Sequence, residues 1–118
     1  MSGNRAIRLA ETIRQEASDI VEYELTDERL SNVKVTSVKI SPDLRNATIF
    51  VDIEGGKQEI DRAIAALRHA TGFIRYQLAS RLQLKRAPDL LFKYDDTSKK
   101  AARIEELLRE ETETGQET

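Results

Sequence analysis

Ala47, Ile49, Val51 and Ile53 alternate strictly with Thr48, Phe50 and Asp52, and an apolar period of two buries one face only if the segment is a strand. Just upstream, residues 33–41 are also rich in β-branched side chains, but Val33 and Val35 fall on one phase and Val38 and Ile40 on the other. One extra residue restores a common face, so a β-bulge is expected near Thr36-Ser37. Between the two runs, Ser41-Pro42-Asp43-Leu44-Arg45-Asn46 places Pro where a turn wants a preset φ and Asp where a side chain can cap its own backbone. The segment therefore reads as an antiparallel hairpin with one apolar face. That face needs a cover, and the rest of the chain must supply it.

The cover is helical. In residues 5–24 the apolar positions Ala10, Ile13, Ala17, Ile20 and Val21 recur at three and four residues with charges between them, the pattern of an amphipathic helix. After Glu54-Gly55-Gly56-Lys57 breaks the sheet, Ile60, Ile64 and Leu67 form a helical stripe to Thr71, and Ile74, Leu78 and Leu82 form another beyond Gly72. The expected arrangement is two helices meeting at a sharp joint, where Ala70 and Gly72 let two helix ends approach closely. The alternative is one uninterrupted helix that tolerates its glycine at a cost of about 1 kcal/mol. Pro88 then forbids helix and introduces a short strand at residues 90–94. Asp95-Asp96-Thr97-Ser98 supplies a cap for a last helix carrying Ala101, Ile104, Leu107 and Leu108. The order expected is α-β-β-α-α-β-α: an α+β fold with a three-stranded sheet covered on one face by helices. Its first six elements match the type II K-homology (KH) topology, by analogy of fold.

A chain of 118 residues makes one domain, expected over residues 1–109, with 110–118 an acidic, disordered tail because it has no apolar residue. There is no cysteine, so no disulfide framework or thiolate metal site is available, and a single His69 gives zinc chemistry or a catalytic triad little to work with. No apolar run approaches the ~20 residues of a membrane span, and Met1-Ser2-Gly3-Asn4-Arg5 lacks the apolar stretch of a signal peptide. A cytoplasmic protein is expected, with no membrane partner, no metal and no cofactor.

The net charge of −2 hides an uneven distribution. Residues 72–94 hold five Lys/Arg against one Asp, whereas residues 95–118 hold four against eight acids. Local field decides where a polyanion lands, so a basic segment masked by an acidic tail still points to nucleic acid. Within it, Arg75 and Arg81 are about 120° apart and flank the Ile74/Leu78/Leu82 stripe on opposite sides. Lys85 and Arg86 come at the helix end, where they complement its dipole and can meet phosphates. Lys99 and Lys100 open the last helix against its dipole, which local stability does not explain, and His69 should face solvent. Asp27/Glu28 and Asp95/Asp96 sit at turn or cap positions rather than in a catalytic pair. Of the few aromatics only Tyr76 stands clear of the core, so base stacking along single strands looks poorly supplied. These residues point to backbone and shape recognition of structured RNA, without enzymatic chemistry.

Several separated motifs then resemble one family. Asp27-Glu28-Arg29-Leu30 before a Val/Thr-rich strand, Ser41-Pro42-Asp43-Leu44 in the hairpin, Ala70-Thr71-Gly72-Phe73-Ile74-Arg75, and Pro88-Asp89-Leu90-Leu91-Phe92-Lys93-Tyr94-Asp95 together resemble ribosome-binding factor A, a bacterial small-subunit assembly factor, over about residues 5–108. The resemblance implies a type II KH-like fold with an Ala-x-Gly helix kink at Ala70 and Gly72 in place of a Gly-x-x-Gly loop. It implies a protein that is a monomer when free and binds the small (30S) ribosomal subunit and its precursor ribosomal RNA, near the 5′-terminal helix and central pseudoknot, to assist maturation and processing. The RNA-binding residues it points to are Arg75, Arg81, Lys85 and Arg86, with Arg45 in the hairpin; DNA is not a partner. Two other readings compete: a protein–protein interaction module using the first or last helix, and a generic KH-like binder of structured RNA.

Overall fold

The computed structural model describes the backbone of residues 2–116 and the side chains of residues 5–97 and 99–109. Helix α1 spans Ser2–Asp19 and closes in a wider π turn over Ile20–Glu24, where the Leu25 amide donates to Ile20 O at 2.9 Å. A 3-10 turn at Glu28–Leu30 leads into β1 (Val33–Ile40), which pairs antiparallel with β2 (Asn46–Ile53). Helix α2 (Lys57–Leu82) returns the chain to β3 (Asp89–Tyr94), parallel to β2, so the sheet order is β1-β2-β3. Helix α3 (Thr97–Gln116) ends the described chain.

The expected bulge is present. The β1–β2 register shifts between Val35 and Ser37, leaving Thr36 as the extra residue. That one residue rotates the strand's pleat by a step, so Val33 and Val35 before it and Val38 and Ile40 after it all turn toward the helices. Ala47, Ile49, Val51 and Ile53 are buried on the same face, joined by Phe92 of β3. Against them pack Ile13, Ala17, Ile20 and Val21 of the first helical segment and Ala63, Ala66, Leu67, Ile74 and Leu78 of α2.

The two helices expected on either side of Gly72 are one. Helix α2 runs unbroken for 26 residues, Gly72 has no positive φ, and a Cβ placed there would meet nothing within 4 Å. The reason lies in the phase of the two stripes. Leu67 and Ile74 are seven residues apart, two turns of helix to within about 20°, so the two stripes make one continuous buried face with Ala70 half-buried between them. Gly72 falls on the outer side of that face, exposed. Burial on both sides outweighs the roughly 1 kcal/mol that an interior glycine costs.

Both ends of α2 are fixed locally. Gly55, at φ +126°, makes the break from β2, and a Cβ there would lie 2.8 Å from Glu59 Cβ. The Gly56 amide donates to Glu59 Oε2 at 2.9 Å, satisfying one of the donors exposed at the helix start. At the other end Gln83 takes the left-handed conformation (φ 52°), and the Leu84 amide donates to Ala79 O at 3.0 Å.

Asp95 caps α3 as expected. Its Oδ1 accepts from the Thr97 amide at 3.0 Å and from Thr97 Oγ1 at 2.5 Å, while Oδ2 lies 2.9 Å from the hydroxyl of the bulged Thr36. Beyond the cap, residues 99–109 are exposed, Ile104 and Leu107 by more than half, so the last apolar stripe does not cover the sheet. The helix continues to Gln116, through most of the segment expected to be disordered; residues 117 and 118 lie outside the described residues. Among the described residues no helix is long and apolar enough to cross a membrane.

Candidate RNA interface

Because β2 and β3 run parallel, their first residues start side by side, Asn46 opposite Asp89. The Asp89 amide donates to Arg45 O at 2.8 Å, which presses the hairpin turn against the loop between α2 and β3. The turn itself is rigid. The Leu44 amide donates to Ser41 O at 2.9 Å with Leu44 at φ 62°, and Asp43 Oδ1 accepts from Ser41 Oγ at 2.6 Å and from the Arg45 amide at 3.1 Å. The Ser41 hydroxyl, and then the Arg45 amide, hold the Asp43 carboxyl below the usual carboxylate range. The Arg45 side chain is left exposed.

In the facing loop Ala87 and Pro88 are buried while Lys85 and Arg86 are exposed. The pair therefore stands in the loop beyond the αL cap of α2 rather than in its last turn. Arg75 reaches the loop from α2, donating to Ala87 O at 3.1 Å and lying 3.3 Å from Asp89 Oδ1. Its Nε is buried without a protein partner. Arg45, Arg75, Lys85 and Arg86 thus lie on chain segments that join at one corner of the molecule, where the segment 85–89 touches both the hairpin and α2.

Arg81 is elsewhere. It faces α1, donating to Glu16 Oε2 at 3.2 Å and to Glu24 Oε1, and its side chain is 27 % exposed. The hydrogen bond from Arg81 holds the Glu24 carboxyl below its ordinary range, and the Glu24 hydrogen bond in turn raises the guanidinium. Ala70 and Gly72 are also away from the corner: Ala70 is half-buried facing the 25–30 connector, and Gly72 is open to solvent. Exposed His69 lines the same shallow groove. Lys99, which dipole reasoning left unexplained, has two local partners. Its Nζ donates to Gly55 O at 2.8 Å and lies 5.4 Å from the centre of the Tyr94 ring. Lys100 pairs with Asp96 at 3.4 Å.

Two features escaped the sequence reading. Tyr76 is exposed as expected, but so are Tyr23 and Phe73. In addition, the outer face of the sheet carries exposed Lys34 and Lys39 from β1 and Lys93 from β3 around a half-buried Phe50 in the central strand. The signal was available: if Ile49 and Val51 point in, their strand neighbours and cross-strand partners point out.

The model of the ribosome-binding factor A family matches residues 5–108, nearly the whole described fold. The chain belongs to the ribosome-binding factor A family. Among its relatives, the ribosome-binding factor A of Desulfitobacterium hafniense (strain DSM 10664 / DCB-2) is 41% identical over 109 residues, 92% of this chain and 87% of that one. The Thermomicrobium roseum protein is 44% identical over 110 residues, 93% of this chain and 85% of the other. In fold, the crystal structure of ribosome-binding factor A from Thermus thermophilus superposes with a TM-score of 0.67 at 24% identity, covering 75% of this chain and 94% of that one. A Thermus thermophilus ribosome-binding factor A homology model fitted into a cryo-EM map of a 30S complex gives 0.63 at 24% identity, covering 75% and 92%.

Proposed function

We propose that this protein is a non-enzymatic assembly factor. It docks on the small ribosomal subunit and its precursor RNA, near the 5′-terminal helix and central pseudoknot, and assists maturation and processing. The observation that carries the reading is the bond between the Asp89 amide and Arg45 O, which holds the hairpin with its exposed Arg45 against the loop that carries exposed Lys85 and Arg86. Exposed basic side chains on short, fixed loops hold phosphates without steep ordering costs, and each contact releases counterions. Family membership and the Thermus thermophilus protein fitted into a 30S complex support the choice of target. On this reading the fold is KH-like, the protein acts in the cytoplasm, and it is a monomer until it binds. The test is co-sedimentation with separated ribosomal subunits over a salt series. Wild-type protein should travel with the small subunit, and binding should weaken steeply with ionic strength; travel with neither the small subunit nor its precursors overturns the reading.

A second reading rests on α3, whose Ile104 and Leu107 are 57% and 53% exposed. An amphipathic helix presenting such a stripe suits a protein groove. Binding that is insensitive to salt but lost in Ile104→Ser/Leu107→Ser would favour it.

A further inference from the structure

The helices cover one face of the sheet and leave the other open. On that open face Phe50 sits in the central strand, directly opposite Lys93 on one side and Ser37 on the other. Lys39 reaches back over the ring, with Nζ 5.8 Å from its centre. Leu91, two residues along β3 from Phe50's partner Lys93 and so on the same face, is 49% exposed. Strands lie about 4.8 Å apart, so Lys39 and Lys93 flank the aromatic from strands about 10 Å apart.

No acid among the described residues neutralises these charges, and Lys39 is held only over the Phe50 ring. Asp52 is matched by Lys34 across the β1–β2 ladder, and Asp89 lies against Arg75. Among the described residues neither Lys39 nor Lys93 makes an ion pair. An aromatic with cations on both sides is a poor protein interface, because the buried centre of such interfaces is depleted in lysine. It suits a polyanion with flat bases. A duplex keeps its bases stacked inside and can offer a flat sheet only its backbone. Unpaired nucleotides can offer both.

We infer that the outer face of the sheet is a platform for single-stranded RNA, with one base stacked on Phe50 and the adjoining phosphates held by Lys39 and Lys93. The inference deepens the proposed function and rests on it for the source of the RNA. Position agrees: the row Lys39, Thr48, Leu91 lies two residues along β2 and β3 from the pair Asn46 and Asp89, at the corner that carries Arg45. RNA held by its backbone at that corner would lay its next unpaired nucleotides across Phe50.

The test uses the full chain, labelled with 15N and titrated at low salt with an unstructured adenosine hexanucleotide and, separately, with a blunt RNA duplex. The hexanucleotide should shift the amides of Lys39, Phe50, Leu91 and Lys93. Phe50→Leu, which keeps apolar volume and removes the ring, should weaken hexanucleotide binding at least about fivefold. The paired surface change Lys39→Ala/Lys93→Ala should lower the slope of log affinity against log salt by about 1.4 units, at about 0.7 per single-strand contact, and covers the case in which Phe50→Leu fails to fold. Shifts confined to the corner, shifts only with the duplex, or unchanged hexanucleotide binding by both variants overturn the platform. If both variants bind hexanucleotide and small subunit normally while an Arg45/Lys85/Arg86 variant loses the subunit, the platform fails and the proposed function stands. If wild-type protein shifts with hexanucleotide as described but sediments with no subunit, the proposed target fails and the platform stands.

Discussion

The guanidinium of Arg81 on α2 lies 3.2 Å from the carboxylate of Glu16 on α1, and with Glu24 on its other side it ties the end of α2 to the first helical segment. A planar fork can serve two carboxylates at once, whereas an ammonium is a point charge. Arg81→Ala should therefore lower the melting temperature by a few degrees, and Arg81→Lys should recover only part of the loss. The same Arg81→Ala protein should show the wild-type salt dependence of RNA binding. A reduced salt slope with an unchanged melting temperature would mean that Arg81 serves RNA instead.

Arg81 also shows what a sequence withholds. Its partners are 65 and 57 residues away, and nothing local distinguishes it from Arg75, Lys85 or Arg86. The hairpin and its bulge were legible because a strand's period is two, so the slip between Val35 and Val38 could be read directly. The unbroken α2 was legible as well, in the in-phase spacing of Leu67 and Ile74, but a glycine between two stripes draws the eye to a joint. The corner was half legible. Its basic residues stand out by charge, whereas their meeting depends on β2 and β3 being parallel, which no local pattern encodes. The Asp95 cap could be read from its sequence, but its bond to Thr36, 59 residues away, could not.

Gly72 gives the clearest stability test. With an ordinary helical φ and open space where its Cβ would be, Gly72→Ala should raise stability by about 0.5–1 kcal/mol in a urea or thermal melt. A fall in melting temperature would restore a close approach at this position.

Gln83 is the opposite case. It holds a left-handed conformation at φ 52° as the cap of α2, where a side chain is strained and glycine is not. Gln83→Gly should stabilise the fold by about 0.5–1 kcal/mol, and Gln83→Val should destabilise it. Equal melting temperatures for all three proteins would contradict the left-handed cap.

Acid should cost the fold stability through specific carboxylates. Hydrogen bonds from the Arg29 side chain and amide pull the Asp27 carboxyl down to about 2, and those from Thr97 and Thr36 lower Asp95. Groups whose folded pKa is depressed add stability that is complete above the ordinary carboxylate range and is lost as pH falls through the folded value. Stability should be complete above about pH 5 and decline from there toward pH 2. Asp27→Asn should flatten the decline, visible in urea midpoints taken across that window. A decline as steep as wild type would assign the loss to other carboxylates.

The most direct measurement is small-subunit co-sedimentation of Arg45→Ala/Lys85→Ala/Arg86→Ala against wild type over a salt series. The triple variant should fold normally, bind more weakly, and lose up to about 2–3 units from the slope of log affinity against log salt, at roughly 0.7–0.9 per phosphate contact. Wild-type affinity and slope in the triple variant would contradict a phosphate-binding role for this corner.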